Sequence, residues 1–215
     1  MKKVFVILVA VMAVTTGAFA QDSNTPEIDA ELCKIGNEDQ EIRSKLVAAM
    51  QNNSSDLMVI REEMISSDAR NQMYVFNLLD TQGWLENLSN CANRAIFFVI
   101  QHAPQSFQEK YFHLVKEKAE QGVVQKSDAA MLEDRILMRS GKRQKYGTQT
   151  VPHKTKDGDD VTFIWPVEDA EKIDELRASV GLPSMSLYLQ LVESQLNRKI
   201  IWDKKLTIDE LKIIF

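Results

Sequence analysis

The sequence predicts a mainly α-helical fold, a single helical-bundle domain with one small β-hairpin. Apolar residues recur at intervals of three and four through most of the 215 residues, which is typical of amphipathic helices. This spacing changes to alternation only between Gln144 and Trp165. No internal repeat, long linker or block of like charge divides the chain, so we expect one domain.

The first twenty residues have the pattern of a cleavable signal peptide. Lys2 and Lys3 precede an apolar run over residues 4–14, and Ala18-Phe19-Ala20 supplies the small residues that a signal peptidase requires. The apolar run is shorter than the roughly 20 residues of a membrane-spanning helix. We therefore expect cleavage after Ala20, a periplasmic or secreted protein, and no stable membrane span after cleavage.

Charge and motifs limit the classes of partner. Without residues 1–20 the chain has 24 basic and 31 acidic residues, which argues against nucleic acid because phosphate binding relies on clustered Lys and Arg. A Gly-rich phosphate loop, an HExxH motif and a CxxC motif are all missing from the sequence, so we expect no cofactor and no metal. The oligomeric state stays open.

Local signals predict the elements of the N-terminal half. A first helix extends from Thr25 to about Gln51, although Gly36 followed by a capping residue would also suit a break. A second helix covers 56–79. The third, over 89–102, is apolar nearly all round, which indicates the buried central helix.

The C-terminal half combines helices with the hairpin. A fourth helix extends from Phe107 toward Gly122, and a fifth begins at the N-cap Ser127 and ends near Gly141. The hairpin lies near 144–165, with Asp157-Gly158 as its turn. Two short helices follow, with Asp169 and Ser184 as N-caps. The domain over 21–195 is then followed by a C-terminal extension, 196–215, whose short helix begins with the capping box Thr207 to Glu210.

Two acid–base pairs interrupt apolar helix faces. Asp39 occupies a position where the apolar stripe of the first helix continues, and Arg43 follows one turn later. Asp134, next to Arg135, interrupts the stripe of the fifth helix in the same way. Since a buried carboxylate must be paired, each pair either joins helices or belongs to a ligand-binding site.

His102 follows Gln101 at the C-terminal end of the most apolar helix. A helix C-terminus favours an imidazolium ion, and a titratable group in such a place is suited to proton transfer. His102 is therefore the candidate catalytic residue, with Gln101 as a ligand-binding neighbour. The alternative is that His102 only hydrogen-bonds to the last carbonyl groups of its helix.

A basic stretch follows the fifth helix. Six Lys and Arg residues and no acid occur between Arg139 and Lys156. Within it lies a run of hydrogen-bonding side chains with one glycine, which suits a carboxylate, phosphate or sulfate: Gln144, Lys145, Tyr146, Gly147, Thr148 and Gln149. The alternative is a solvated loop whose charges aid solubility.

Cys33 and Cys91 are the only cysteines. In an oxidising compartment they are disulfide candidates, and a bond between them would add about 4 kcal/mol on the chain-entropy estimate. The alternative is two thiols packed as small apolar side chains.

Taken together, these motifs resemble those of an uncharacterised family of bacterial proteins, often exported, whose domain has no established function. The resemblance covers about 32–188 and rests on Asp39-Gln40-x-x-Arg43, Gln101-His102-Ala103, and Asp134-Arg135 followed by Gly141-x-x-Gln144-x-Tyr146-Gly147-Thr148-Gln149. It implies a fold and a grouping of polar residues, not a reaction.

Three functions suit this sequence. The first is a small anionic ligand bound in a polar cleft between helices and hairpin, formed by the residues singled out above. The second is a hydrolase that uses His102 as general base in the same cleft. The third is a structural or interaction protein in which these residues only hold helices together.

Overall fold

The computed structural model of the chain describes residues 25–154, 160–196 and 199–214. It confirms the mainly α-helical fold. The first five helices are α1 (Thr25–Gln51), α2 (Leu57–Gln82), α3 (Asn90–His102), α4 (Gln105–Glu120) and α5 (Lys126–Arg139). The predicted signal peptide and the Asp157-Gly158 turn lie outside the described residues.

The main core forms around α3, as its apolar composition predicts. Ala92, Ala95, Ile96 and Ile100 are fully buried there, against α1, α2 and α4. The helix α1 is continuous, with no break at Gly36. A Cβ at Gly36 would lie 2.9 Å from Cβ of Ala95, so this glycine allows α1 and α3 to approach closely.

Side-chain capping is present at some helix starts and differs from the prediction at others. The N-cap of the helix Ile173–Ser179 is Lys172, and the predicted cap Asp169 accepts hydrogen bonds from the backbone N–H groups of Glu171 and Lys172 just before the helix. Ser89 caps α3 by accepting a hydrogen bond from the backbone N–H of Ala92. The start of α5 differs from the prediction: Gln125 is the N-cap, and Ser127 lies inside the helix with its hydroxyl 3.5 Å from Oε1 of Gln125. Ser127 thus contacts a side chain instead of a free backbone N–H.

The hairpin is part of a three-stranded sheet. Strands β1 (Thr150–Lys154) and β2 (Asp160–Ile164) pair antiparallel, with Val151 opposite Phe163. A third strand, β3 (Lys199–Ile201), pairs parallel to β2. Strand β3 could not be predicted from the sequence, because three residues are too few to show alternation.

Three more helices complete the described chain: α6 (Ile173–Ser179), α7 (Met185–Leu196) and α8 (Ile208–Ile214). A second, smaller core joins the sheet to α6 and α7 through Ile164, Val167, Ile173, Met185 and Ile200. The predicted capping box of α8 is present, since Thr207 and Glu210 bond reciprocally. Within the described ranges, no helix combines the length and apolar character needed to cross a bilayer.

Candidate functional site

An open cleft of about 610 Å³ lies where α3 turns into α4. This volume is within the range of small-molecule sites. Four groups of residues line it: Ile65, Asp68, Ala69 and Gln72 from α2; His102 and Ala103 from the end of α3; Pro104 and Gln105 from the start of α4; and Arg139 from the end of α5.

Beside this cleft, Arg43 is the centre of an ion-pair network. Its guanidinium lies 3.1 Å from Oδ1 of Asp39 and 2.7 Å from Oδ1 of Asp68. Its Nε also lies 2.8 Å from Nδ1 of His102. The network therefore ties α1 to α2 and to the end of α3, and it orients the imidazole toward the cleft.

His102 Nδ1 has two competing neighbours, Nε of Arg43 and Oδ1 of Asp39, the latter at 3.1 Å. Arg43 Nε is a donor and needs an unprotonated Nδ1, whereas the Asp39 carboxylate is an acceptor and needs a protonated Nδ1. If Nδ1 donates to Asp39, a neutral imidazole has a free lone pair on Nε2; if Nδ1 accepts from Arg43, Nε2 carries the proton. Among the described residues Nε2 has no hydrogen-bond partner, so either form faces ligand or solvent.

Asp39 is ionised in this network. Only 2% of its surface is exposed. Burial raises the pKa of Asp39, but the hydrogen bond and charge of His102, the charge of Arg43 and a hydrogen bond from Gln40 outweigh it and hold that pKa below its ordinary value.

Arg135 is a half-buried guanidinium without a partner. Its Nε is buried, and none of its nitrogens donates a hydrogen bond to any residue that the structure describes. Burial, followed by the charges of Arg139 and Arg43, lowers the pKa of Arg135. Arg135 lies one helical turn before Arg139 on α5, and it lacks the carboxylate that a buried cation normally has.

Arg139 is held by neutral groups. It donates to the carbonyl oxygen of Ala103 at 3.2 Å and to Oε1 of Gln108 at 3.0 Å. Gln108 in turn donates to the carbonyl oxygen of Gln101. These bonds position Arg139 at the edge of the cleft without neutralising it. Of the three arginines, only Arg43 has carboxylate partners within the described chain, so the site carries excess positive charge.

Asp134 belongs to a different arrangement, a loop anchor. It is fully buried and accepts hydrogen bonds from the backbone N–H groups of Lys145, Tyr146 and Thr148 and from the Thr148 hydroxyl. Burial raises the pKa of Asp134, while those bonds lower it, and the first effect is the larger. The carboxylate fastens the loop to α5.

The two glutamines of this loop bond inside the protein: Gln149 donates to the carbonyl oxygen of Met131 in α5 and to the Thr148 hydroxyl, and Gln144 bonds to backbone groups. Gln144 donates to the carbonyl oxygens of Gln149 and Trp165, and it accepts from the N–H of Gln149. Gly147 has a φ of +66° and packs against Met185, so any side chain there would overlap the Met185 methyl group. These contacts give the loop a fixed shape.

Arg177 of α6 also binds the backbone of this loop. It is fully buried, donates to the carbonyl oxygens of Pro183 and Tyr146, and lies 4.6 Å from the ring centre of Tyr188. Its partners are again structural.

Two side chains of the basic stretch bind other groups of the protein. Lys145 pairs with Glu133 at 2.6 Å, and Arg143 donates to the carbonyl oxygen of Val167 at 3.4 Å. Tyr146 lines a separate cavity of about 130 Å³. None of the residues 144–149 lines the cleft beside His102.

The contacts thus divide the predicted site residues into two groups. Asp39, Arg43, His102 and Arg135 lie together near the cleft, beside the main chain of Gln101. Asp134, Gln144, Tyr146, Gly147, Thr148 and Gln149 form the loop anchor, and a ligand-binding role for them stays a prediction. The sequence did not identify Asp68 as a residue of the cleft. It also placed Arg139 in the basic stretch and not beside the cleft, although Arg135 and Arg139 are four apart and share a helix face.

The cysteines are neighbours and unbonded. Cys33 on α1 and Cys91 on α3 are both free thiols. A hydrogen bond with Cys33, together with burial, raises the pKa of the Cys91 thiol to about 11. Their pairing in an oxidising compartment stays a prediction. Across the described ranges, no group of three His, Cys, Asp or Glu residues is arranged to hold a metal ion.

This fold and site define a mainly helical domain with an arginine-edged cleft and a separately anchored loop. The chain belongs to a family of unknown function (DUF6624), whose model matches residues 26–201. That match includes both residue groups and β3, and it confirms the resemblance to an uncharacterised family. Comparison with curated proteins and with solved structures gives no match.

Proposed function

We propose that this protein is exported and binds a small oxyanion, a carboxylate or a phosphate, in the cleft beside His102. One observation carries the proposal: the half-buried Arg135 has no acidic partner in the described structure and lies one helical turn before Arg139, which lines the cleft. Burying an unpaired cation is costly. A bound anion supplies the missing negative charge, and guanidinium groups are suited to its planar or tetrahedral oxygens.

The charges around the cleft support the same ligand class. Asp68 lines the cleft, but its carboxylate is paired with Arg43 at 2.7 Å. Arg139 contacts only neutral oxygens in the described chain. An anion in the cleft therefore meets Arg139, which has no carboxylate partner in the described chain, and the neutralised carboxylate of Asp68. Arg135 lies one helical turn before Arg139 on α5.

Inorganic phosphate is the probe that tests this proposal. The unfolding temperature is measured across a phosphate titration, with ionic strength held constant by chloride. A ligand that binds only the folded state stabilises it by RT ln(1 + [L]/Kd). We expect a saturable rise in wild type and at least a tenfold weaker affinity in Arg135→Met.

Arg143→Ala is the matched control, because it removes an arginine of the basic loop and leaves the cleft intact. We expect it to titrate like wild type. The same curve for wild type and Arg135→Met would overturn the proposal. A loss confined to Arg143→Ala would instead favour a site on the loop.

A hydrolase is the second candidate, and the geometry of His102 favours it. Nδ1 contacts Asp39, and Nε2 has no partner among the described residues. In that function Nε2 takes a proton from water as the water oxygen forms a bond to the ester centre, and the nearby arginines stabilise the negative charge that develops. The bond to the leaving oxygen then breaks, and the imidazolium returns the proton to that oxygen, which leaves as the alcohol.

Turnover of p-nitrophenyl acetate and p-nitrophenyl phosphate tests this candidate. His102→Asn keeps a polar group near the position of Nδ1 and removes Nε2. We expect a hydrolase to lose turnover in this variant while phosphate binding persists. Wild-type protein without turnover of either ester leaves binding alone as the proposal.

A further inference from the structure

The cleft beside His102 combines charge with exposed apolar surface. Arg139 marks one edge, while Ile65, Ala69 and Pro104 line other parts of the same cleft. Ile65 is 60% exposed, so its side chain offers apolar surface to a ligand in the cleft. An inorganic ion would contact the arginines and leave this apolar surface in water.

From this juxtaposition we propose that the natural ligand is an amphipathic oxyanion: a carboxylate or phosphate headgroup on an alkyl or aromatic body. This inference rests on the proposed anion binding and adds to it an apolar body attached to the anionic headgroup. The headgroup binds at Arg139, with Arg135 one helical turn before it on α5, and the apolar body covers Ile65, Ala69 and Pro104. Removing that surface from water supplies affinity that charge alone does not.

Methyl phosphate and hexyl phosphate have the same headgroup and differ in the length of the alkyl chain. Comparing them therefore distinguishes headgroup binding from burial of the apolar body. Each fully buried methylene strengthens binding about fourfold at 25 °C. By calorimetric titration of wild type, we expect hexyl phosphate to bind at least tenfold more tightly than methyl phosphate. Arg135→Met should weaken the binding of both compounds.

Ile65→Ser should reduce the advantage of hexyl phosphate and leave methyl phosphate binding unchanged. Val59→Ser is the matched control, because Val59 is equally exposed on α2 and does not line the cleft. Equal affinity of wild type for the two phosphates would overturn the inference and leave the proposed function standing. So would a hexyl advantage that Ile65→Ser and Val59→Ser retain alike. Failure of both compounds to bind would overturn the proposed function itself.

Discussion

The carboxylate of Asp39 lies 3.1 Å from Nδ1 of His102, across 63 positions of sequence. Arg43, one turn after Asp39 on α1, contacts both of them. The contact joins the middle of α1 to the C-terminal end of α3, where the cleft opens. It therefore links the stability of the bundle to the geometry of the candidate site.

Asp39→Asn should destabilise the protein in a pH-dependent way. The pKa of Asp39 in the folded state lies below its ordinary value, so its charged form stabilises the fold above about pH 4, and this contribution is lost as the pH falls through the folded-state pKa. We expect wild type to exceed Asp39→Asn by about 2 kcal/mol at pH 7. Urea unfolding should show this difference shrink toward pH 3.

Glu38→Gln is the control for that experiment, since Glu38 is an exposed neighbour on α1. It should change stability little at either pH. A difference between wild type and Asp39→Asn that is the same at pH 7 and pH 3 would contradict the prediction.

Asp134→Asn should cost about 3 kcal/mol, because an amide group would then face the N–H groups that the carboxylate now accepts from. Thr148→Val removes only the hydroxyl donor and should cost about 1 kcal/mol. Glu133→Gln breaks a partly exposed pair with Lys145 and should cost less than about 1 kcal/mol. Equal losses in Asp134→Asn and Glu133→Gln, by denaturant unfolding, would argue against the loop anchor.

Gly147→Ala should destabilise more than Gly141→Ala. Both glycines have φ near +67°, where a Cβ costs about 1 kcal/mol. At Gly141 nothing lies within 4 Å of an added Cβ, whereas at Gly147 it overlaps Met185. Thermal unfolding of the two variants compares the effect of backbone strain alone, at Gly141, with strain plus overlap, at Gly147. Equal losses of stability in the two variants would contradict the prediction and mean that Met185 moves aside freely.

Cys33 and Cys91 should form a disulfide in protein isolated from an oxidising compartment. Their proximity and the exposure of Cys91 favour it. Reduction should then lower the free energy of unfolding by about 4 kcal/mol, and a Cys33→Ser/Cys91→Ser variant should be insensitive to reductant. Two reactive thiols per chain, titrated under denaturing and non-reducing conditions, would contradict this prediction.

Processing should produce a mature chain that begins at Gln21, because Ala18 and Ala20 provide the small residues before the cut. The intact mass of the protein recovered outside the cytoplasm measures the cleavage position. Cleavage-site variant Ala20→Phe should slow processing, and Ala13→Phe, within the apolar run, should not. Full-length protein retained in a membrane fraction of the wild-type host would contradict the prediction.

Most helices could be predicted because their signals act over a few residues. The polar positions on apolar faces also identified Asp39 and Asp134 as buried carboxylates, and both are buried. The strand β3 could not be predicted, since its pairing with β2 joins residues nearly forty positions apart and leaves no local pattern.

By itself the sequence determined the helical class, the buried central helix and the capping box of α8, because periodicity and capping-box chemistry are local. Only the tertiary structure decided what the polar residues contact. Asp134 and Arg135 are adjacent in sequence, yet one anchors a loop and the other lies near Arg43 and Arg139. Consecutive helix residues point about 100° apart, so neighbours in the chain face different elements, and the packing of α5 between loop and cleft assigns each its partners.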